Sequence, residues 1–158
     1  MQHKLTTFLW FDGQAEEAAA FYVSIFQGSR ILNTTLYGEA GPGPTGSVLT
    51  VDFEIEGHRF VALNGGPVYN FTPAISFAVQ CATQPEIDDL WAKLSAGGEE
   101  LDCGWVKDRY GVTWQVVPVG LGDLLNGADP VRSQRATRAM LTMKKLDIDA
   151  LRRAYEGV

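Results

Sequence analysis

At 158 residues the chain is long enough to bury one proper core and too short for two ordinary domains. With 46% hydrophobic, 20% charged and 11% aromatic residues it has the composition of an ordinary soluble globular protein. A formal net charge of -6 argues against an electrostatic grip on nucleic acid or on an anionic membrane, and neither is expected as a partner.

No apolar run approaches the roughly 18 residues that a membrane span needs, and no basic segment with an apolar run behind it opens the chain. The expected compartment is therefore the cytoplasm. Cys81 and Cys103 stand in no metal-binding or redox spacing, which fits reduced thiols in such a compartment.

The stretch 4–11 (KLTTFLWF) is dense in aromatic and β-branched residues and stops at Asp12-Gly13, so it reads as a strand with a turn behind it. From Ala15 to Phe26 the period changes. Ala18, Phe21, Tyr22, Ile25 and Phe26 share one helical face opposite Glu16 and Glu17, and Gly28 stands where a C-terminal cap belongs. Residues 30–37 read as a strand, 38–46 (GEAGPGPTG) as a loop, 47–56 and 59–63 as a hairpin turning at Gly57-His58, and Asn64-Gly65-Gly66-Pro67 as its end.

After a link at 68–73 the pattern restarts. AISFAVQC (74–81) is a strand, and Thr83-Gln84-Pro85-Glu86 has the form of a capping box, in which a hydroxyl and a carboxylate each satisfy a free backbone N–H. Ile87, Leu90, Trp91 and Leu94 then form a buried stripe that Gly97-Gly98 ends. Strand starts at Leu5 and Ile75, helix starts at Ala15 and Pro85, and glycines at Gly28 and Gly98 all lie 70 positions apart. A repeat of this length leaves one face of its sheet bare, so two copies are expected to close on each other around a cleft.

The segment 103–118 (CGWVKDRYGVTWQVVP) reads as two strands joined by a turn at Asp108–Gly111, where Asp caps backbone donors and Gly accepts the conformation that follows. On the second of these strands Trp114, Val116 and Pro118 share one face, and Thr113, Gln115 and Val117 share the other. Gln115 is either a satisfied buried amide or a residue lining a pocket. Beyond Leu121 a short helical turn stops at Asp129-Pro130. A helix is expected over 134–144, and Asp147 caps a last helix that turns Ile148, Leu151 and Tyr155 inward. This tail clamps over the domain or onto a partner subunit.

Three segments, WFDGQAEEAAAFYVSIF (10–26), CGWVKDRYGVTWQVVP (103–118) and AMLTMKKLDIDAL (139–151), resemble the vicinal oxygen chelate superfamily of glyoxalases, bleomycin-resistance proteins and dioxygenases. Within it the chain is similar to the PhnB-like branch labelled 3-demethylubiquinone-9 3-methyltransferase. The resemblance implies an α+β fold of two tandem βαβββ modules of the glyoxalase/dihydroxybiphenyl dioxygenase kind, at 1–67 and 74–120 of a single 158-residue domain. A cleft lies between the modules, a helical extension follows over 121–158, and a homodimer forms. It also implies metal-ligand positions on Thr7, Ala62, Ala74 and Gln115, of which only Gln115 can coordinate well. His3 lies near the terminus and His58 in a turn, so no metal is expected, and no cofactor is implied.

The methyltransferase label meets a physical objection. S-adenosylmethionine is usually held at a glycine-rich turn after the first strand of a doubly wound sheet. Here that strand ends in Asp12-Gly13-Gln14.

Pleat counting turns Thr7, Leu9, Phe11, Ala62, Asn64, Ser76, Ala78, Thr113 and Gln115 into the cleft, with Trp105 and Lys107 at its rim. Thr7, Leu9, Asn64, Ser76, Trp105, Lys107 and Gln115 are the candidate ligand-binding residues: an apolar pocket with a few convergent polar groups, suited to a small molecule. The alternative is an enzyme of unknown reaction, of glyoxalase or dioxygenase type, in which Gln115, Asn64 and Lys107 polarise a carbonyl. Cys103 and Lys107 are the hairpin's potential nucleophiles, and no nearby histidine is visible to activate either.

Overall fold

The computed structural model describes residues 4–158, so His3 lies outside it. The chain divides into two compact units between Phe71 and Thr72. The first contains β1 (Thr7–Phe11), α1 (Ala15–Ile25), β2 (Ser29–Leu36), β3 (Val48–Ile55) and β4 (His58–Asn64). Its sheet order is β1-β4-β3-β2, with β1 and β4 parallel and the other pairs antiparallel.

The second unit repeats this wiring with β5 (Phe77–Cys81), α2 (Gln84–Ser95), β6 (Glu99–Glu100), β7 (Trp105–Lys107) and β8 (Thr113–Pro118), in the order β5-β8-β7-β6. Thr7 and Phe77 open, and Phe11 and Cys81 close, equivalent strands 70 positions apart. The fold is α+β, and neither four-stranded sheet closes into a barrel.

Small residues set the packing of α1. Ala15, Ala18 and Ala19 are fully buried and let the helix lie close to its sheet, where Tyr22 stacks on Phe53 at 6.0 Å and Phe53 on Phe60 at 5.2 Å. Gln14 provides no side-chain cap; instead the Asn64 side-chain amide oxygen accepts from the Ala15 N–H at 2.9 Å, so the end of β4 caps α1.

In the second unit the capping box forms. Thr83 Oγ1 accepts from the Glu86 N–H at 3.3 Å and the Glu86 carboxylate accepts from the Ala82 N–H at 2.7 Å. The stripe Ile87, Leu90, Trp91 and Leu94 is buried, as its spacing predicts.

The tail forms α3 (Leu121–Leu125), α4 (Pro130–Met140) and α5 (Ile148–Glu156), and it belongs to the second unit. The Asp129-Pro130 pair, expected to stop a helix, starts one. Asp129 accepts from the N–H groups of Val131 and Arg132, and Pro130 occupies a first-turn position where a missing N–H costs nothing. The helix expected over 134–144 therefore runs earlier and ends at Met140.

The segment between α4 and α5 is held by backbone and side chain together. The N–H groups of Cys103 and Gly104 donate to the carbonyls of Met143 and Lys144 at 2.8 and 2.7 Å. The Gln84 amide donates to the Leu146 carbonyl and accepts from the Ile148 N–H, Lys145 pairs with Asp88, and the Leu146 side chain is fully buried. The tail is a clamp on its own second module.

Candidate functional site

Each sheet has one face covered by its own helix, and register identifies the other. In the first unit Phe53 and Phe60 face α1, and Thr7, Leu9 and Phe11 follow Phe60 and Ala62 on that side through the β1–β4 pairing. Leu9, Phe11 and Ala62 are accordingly buried. This corrects the pleat count by one residue: Leu9 belongs to the core, and the open face carries Phe8, Trp10, Val61 and Leu63.

Thr7 also lies on the helix side, at the strand end, where its hydroxyl meets His58 Nε2 at 3.0 Å. Asn64 is committed to structure, since its amide nitrogen donates to the Val48 carbonyl at 3.1 Å while its oxygen caps α1. Sequence reasoning missed Phe8 and Trp10 because β1 is apolar on both faces, so alternation carries no sign there.

In the second unit the residues counted together share one side of the sheet. The Trp91 indole on α2 donates to the Glu100 carboxylate, and Glu100, Val106, Trp114 and Phe77 share the helix side by register. The opposite face carries Glu99, Lys107 and Thr113 in one row and Trp105, Gln115 and Ala78 in the next. Ser76 joins them just before β5, its hydroxyl accepting from the Gln115 amide nitrogen at 2.9 Å. Lys107 Nζ lies 2.8 Å from Glu99 and holds that carboxyl below the usual carboxylate range.

The Thr113 hydroxyl is buried and has no hydrogen-bond partner among the described residues. Such a group costs about 1–3 kcal/mol relative to one that is satisfied. Thr113 stands two residues from Gln115, on the same face.

The turn behind this face is rigid. Asp108, 2% exposed, accepts from the N–H groups of Tyr110 and Val112 at 2.8 and 3.1 Å and from the Trp114 indole at 2.8 Å. β7 and β8 are thereby locked in register.

The first unit also contains a cavity of about 540 Å³ at the ends of β1 and β4, lined by Asp12, Glu16, Tyr37, Pro44, Asn64 and Gly65 among others. No sequence pattern signalled it. It draws together loops that are distant along the chain.

Each unit is an open-faced βαβββ module with its helix on one side of the sheet. The chain belongs to the 3-demethylubiquinone-9 3-methyltransferase family, whose model matches residues 3–117. A putative 3-demethylubiquinone-9 3-methyltransferase, the PhnB protein from Bacillus cereus, is similar at 39% identity and a TM-score of 0.68, over 74% of this chain and 100% of its own.

Protein PA1353 from Pseudomonas aeruginosa (19% identity, TM-score 0.61, 74% of this chain and 98% of its own) shares the fold. So does the fosfomycin resistance protein FosX from Listeria monocytogenes, described in complex with Mn(II) and sulfate (17% identity, TM-score 0.52, 72% of this chain and 89% of its own). No curated protein is similar enough to count as a match.

The metal that the resemblance implies does not fit the residues present. Phe8, Trp10, Val61, Leu63 and Ala78 offer no donor on the open faces, and one amide, Gln115, with a single carboxylate on its face, Glu99, already paired with Lys107, cannot hold a divalent ion. Among the described residues no three His, Cys, Asp or Glu side chains converge.

Proposed function

We propose that this family member binds a small molecule on the open face of the β5-β8-β7-β6 sheet without help from a metal ion. The single observation that carries this reading is the half-buried Gln115–Ser76 pair, which leaves the Gln115 carbonyl oxygen unpaired among the described residues and opposite Trp105, on the side of the sheet away from α2. A part-apolar face with a few convergent polar groups is the make-up of a small-molecule site.

The competing reading, an enzyme in which Gln115, Asn64 and Lys107 polarise a carbonyl, has less support. Both ends of the Asn64 amide are engaged and Lys107 is paired with Glu99. Of the three, Gln115 alone keeps a free polar atom among the described residues.

The protein acts as a homodimer in this proposal, with no nucleic-acid or membrane partner, and it works in the cytoplasm. Exposed Phe8 in β1 and Ile75 just before β5 supply apolar surface for self-association, and the charge of -6 disfavours polyanions. Among the described residues no helix is long and apolar enough to cross a membrane.

A thermal-shift screen of quinones, thiol conjugates and aromatic antibiotics tests the site. Hits that bind unchanged and are lost in Gln115→Leu are expected. Product formation from a hit, or Zn, Ni, Mn or Fe bound in stoichiometric amount through dialysis, would overturn the reading.

A further inference from the structure

The cavity at the ends of β1 and β4 is separate from the sheet face discussed above, because every residue that lines it belongs to the first unit. At about 540 Å³ it has the size of a small-molecule pocket. Bonds between segments distant along the chain hold its walls. The Tyr37 hydroxyl donates to the Asn64 backbone carbonyl, the Asn64 amide nitrogen to the Val48 carbonyl, and the Gly65 N–H to the Phe11 carbonyl. A Cβ on Gly43 would come within 2.4 Å of the Tyr37 ring and one on Gly65 within 2.2 Å of the Trp10 ring, so two bare backbone positions let the loop and the strand end close around this space.

The chemistry of the lining selects what can enter. Three lining side chains carry a neutral donor, Tyr37, Ser47 and Asn64, and each already donates to a backbone carbonyl, Ser47 to that of Pro44. Pro42 and Pro44 have no N–H to offer. No lysine, arginine or histidine lines the cavity. Its charged groups are the Asp12 and Glu16 carboxylates, both solvent-exposed and both without a hydrogen-bond or ion-pair partner among the described residues.

An anion would meet two like charges here. An ammonium group brings an opposite charge and several N–H donors, which is what two unpaired carboxylates accept. Tyr37, Pro42, Pro44 and Val48 supply apolar wall for the rest of such a molecule. A divalent metal ion needs more oxygen ligands than this pair provides, and among the described residues no third acidic, histidine or cysteine side chain converges with them.

We infer that the first-unit cavity binds an organic ammonium ion with a compact apolar body, held by Asp12 and Glu16.

The test uses three probes of one shape, 2-phenylethylammonium, 2-phenylethanol and 3-phenylpropionate, titrated by calorimetry at pH 7 into the full chain, into the double variant Asp12→Asn, Glu16→Gln, and into a control double variant, Asp123→Asn, Asp149→Asn. The control removes the same charge far along the chain from the cavity residues, and circular dichroism checks that each variant is folded. The ammonium probe is expected to bind about tenfold or more tighter than the alcohol and the carboxylate, to weaken about fivefold or more in the cavity variant, and to keep its affinity in the control.

Equal or tighter binding of the alcohol or the carboxylate would overturn the ligand class. Equal weakening in both double variants would show attraction to the overall negative charge and overturn the site, as would binding indifferent to the cavity variant or no binding of the ammonium probe. Displacement of that probe by calcium at equal concentration would make the pair a metal site and overturn the inference.

Discussion

Asp108 Oδ2 accepts a 2.8 Å hydrogen bond from the Trp114 indole, six residues on and across the turn. The other oxygen of the same carboxylate holds two backbone N–H groups, so one buried side chain fixes turn, strand and ring together. Asp108→Ala leaves three donors without a partner and is expected to lower stability by about 3 kcal/mol or more, with Asp108→Asn costing less because one acceptor survives. Urea denaturation of both variants measures this, and equal effects would contradict it.

The orientation of β1 makes opposite predictions for adjacent residues. Leu9 is 4% exposed and Phe8 62%. Leu9→Ala is expected to cost about 2–4 kcal/mol and Phe8→Ala no more than about 0.5 kcal/mol in the monomeric chain. Reversal of that order in denaturation midpoints at low protein concentration would put the wrong face in the core.

The two thiols differ sharply. Burial, assisted by the Glu86 charge, pushes the Cys81 thiol up to about 11, while Cys103 is partly exposed. A disulfide-exchange reagent at pH 8 is expected to modify Cys103 quickly and Cys81 only after denaturant is added. Two fast thiols in the native protein would show that the second module opens readily.

Gln84 tests the clamp. Loss of both its bonds to the 146–148 segment in Gln84→Ala is expected to cost about 1–2 kcal/mol. It should also speed proteolysis between α4 and α5, read by mass analysis of the fragments. An unchanged cleavage rate there would mean that Leu146 alone anchors the tail.

Acid weakens the same region. Hydrogen bonding to Lys145 first, then to Gln84, lowers the Asp88 carboxyl below its ordinary 3.8, and Lys107 lowers Glu99 below 4.5. A carboxyl depressed in the folded state contributes stability above its unfolded value and loses it as pH falls through the folded one. Stability is therefore expected to be level near pH 7 and to decline below about pH 4.5, with a smaller decline in a double variant Asp88→Asn, Glu99→Gln. Identical pH profiles would remove these two pairs from the account.

Much of this molecule was legible along the chain. Three 70-residue offsets predicted two copies of one unit, and the stripe Ile87–Leu94, the turn at Asp108 and the two faces of β8 followed from periodicity and turn chemistry alone. Those signals are local: a helix stripe, a cap or an alternating strand is written in residues a few positions apart. Asp129-Pro130 misled because the pair that ends one segment also starts another.

The amino-acid order by itself determined the repeated βαβββ unit and the grouping of Thr113, Gln115 and Val117 on one face of β8, since a strand's alternation fixes which residues share a side. Tertiary structure decided which side of β1 is inner, that Asn64 caps α1, and that Lys107 is neutralised by Glu99. Each of these depends on register between strands or on a helix end meeting a distant loop. Such pairings are selected by the packed whole, where burial of one face and satisfaction of every backbone donor must be met together.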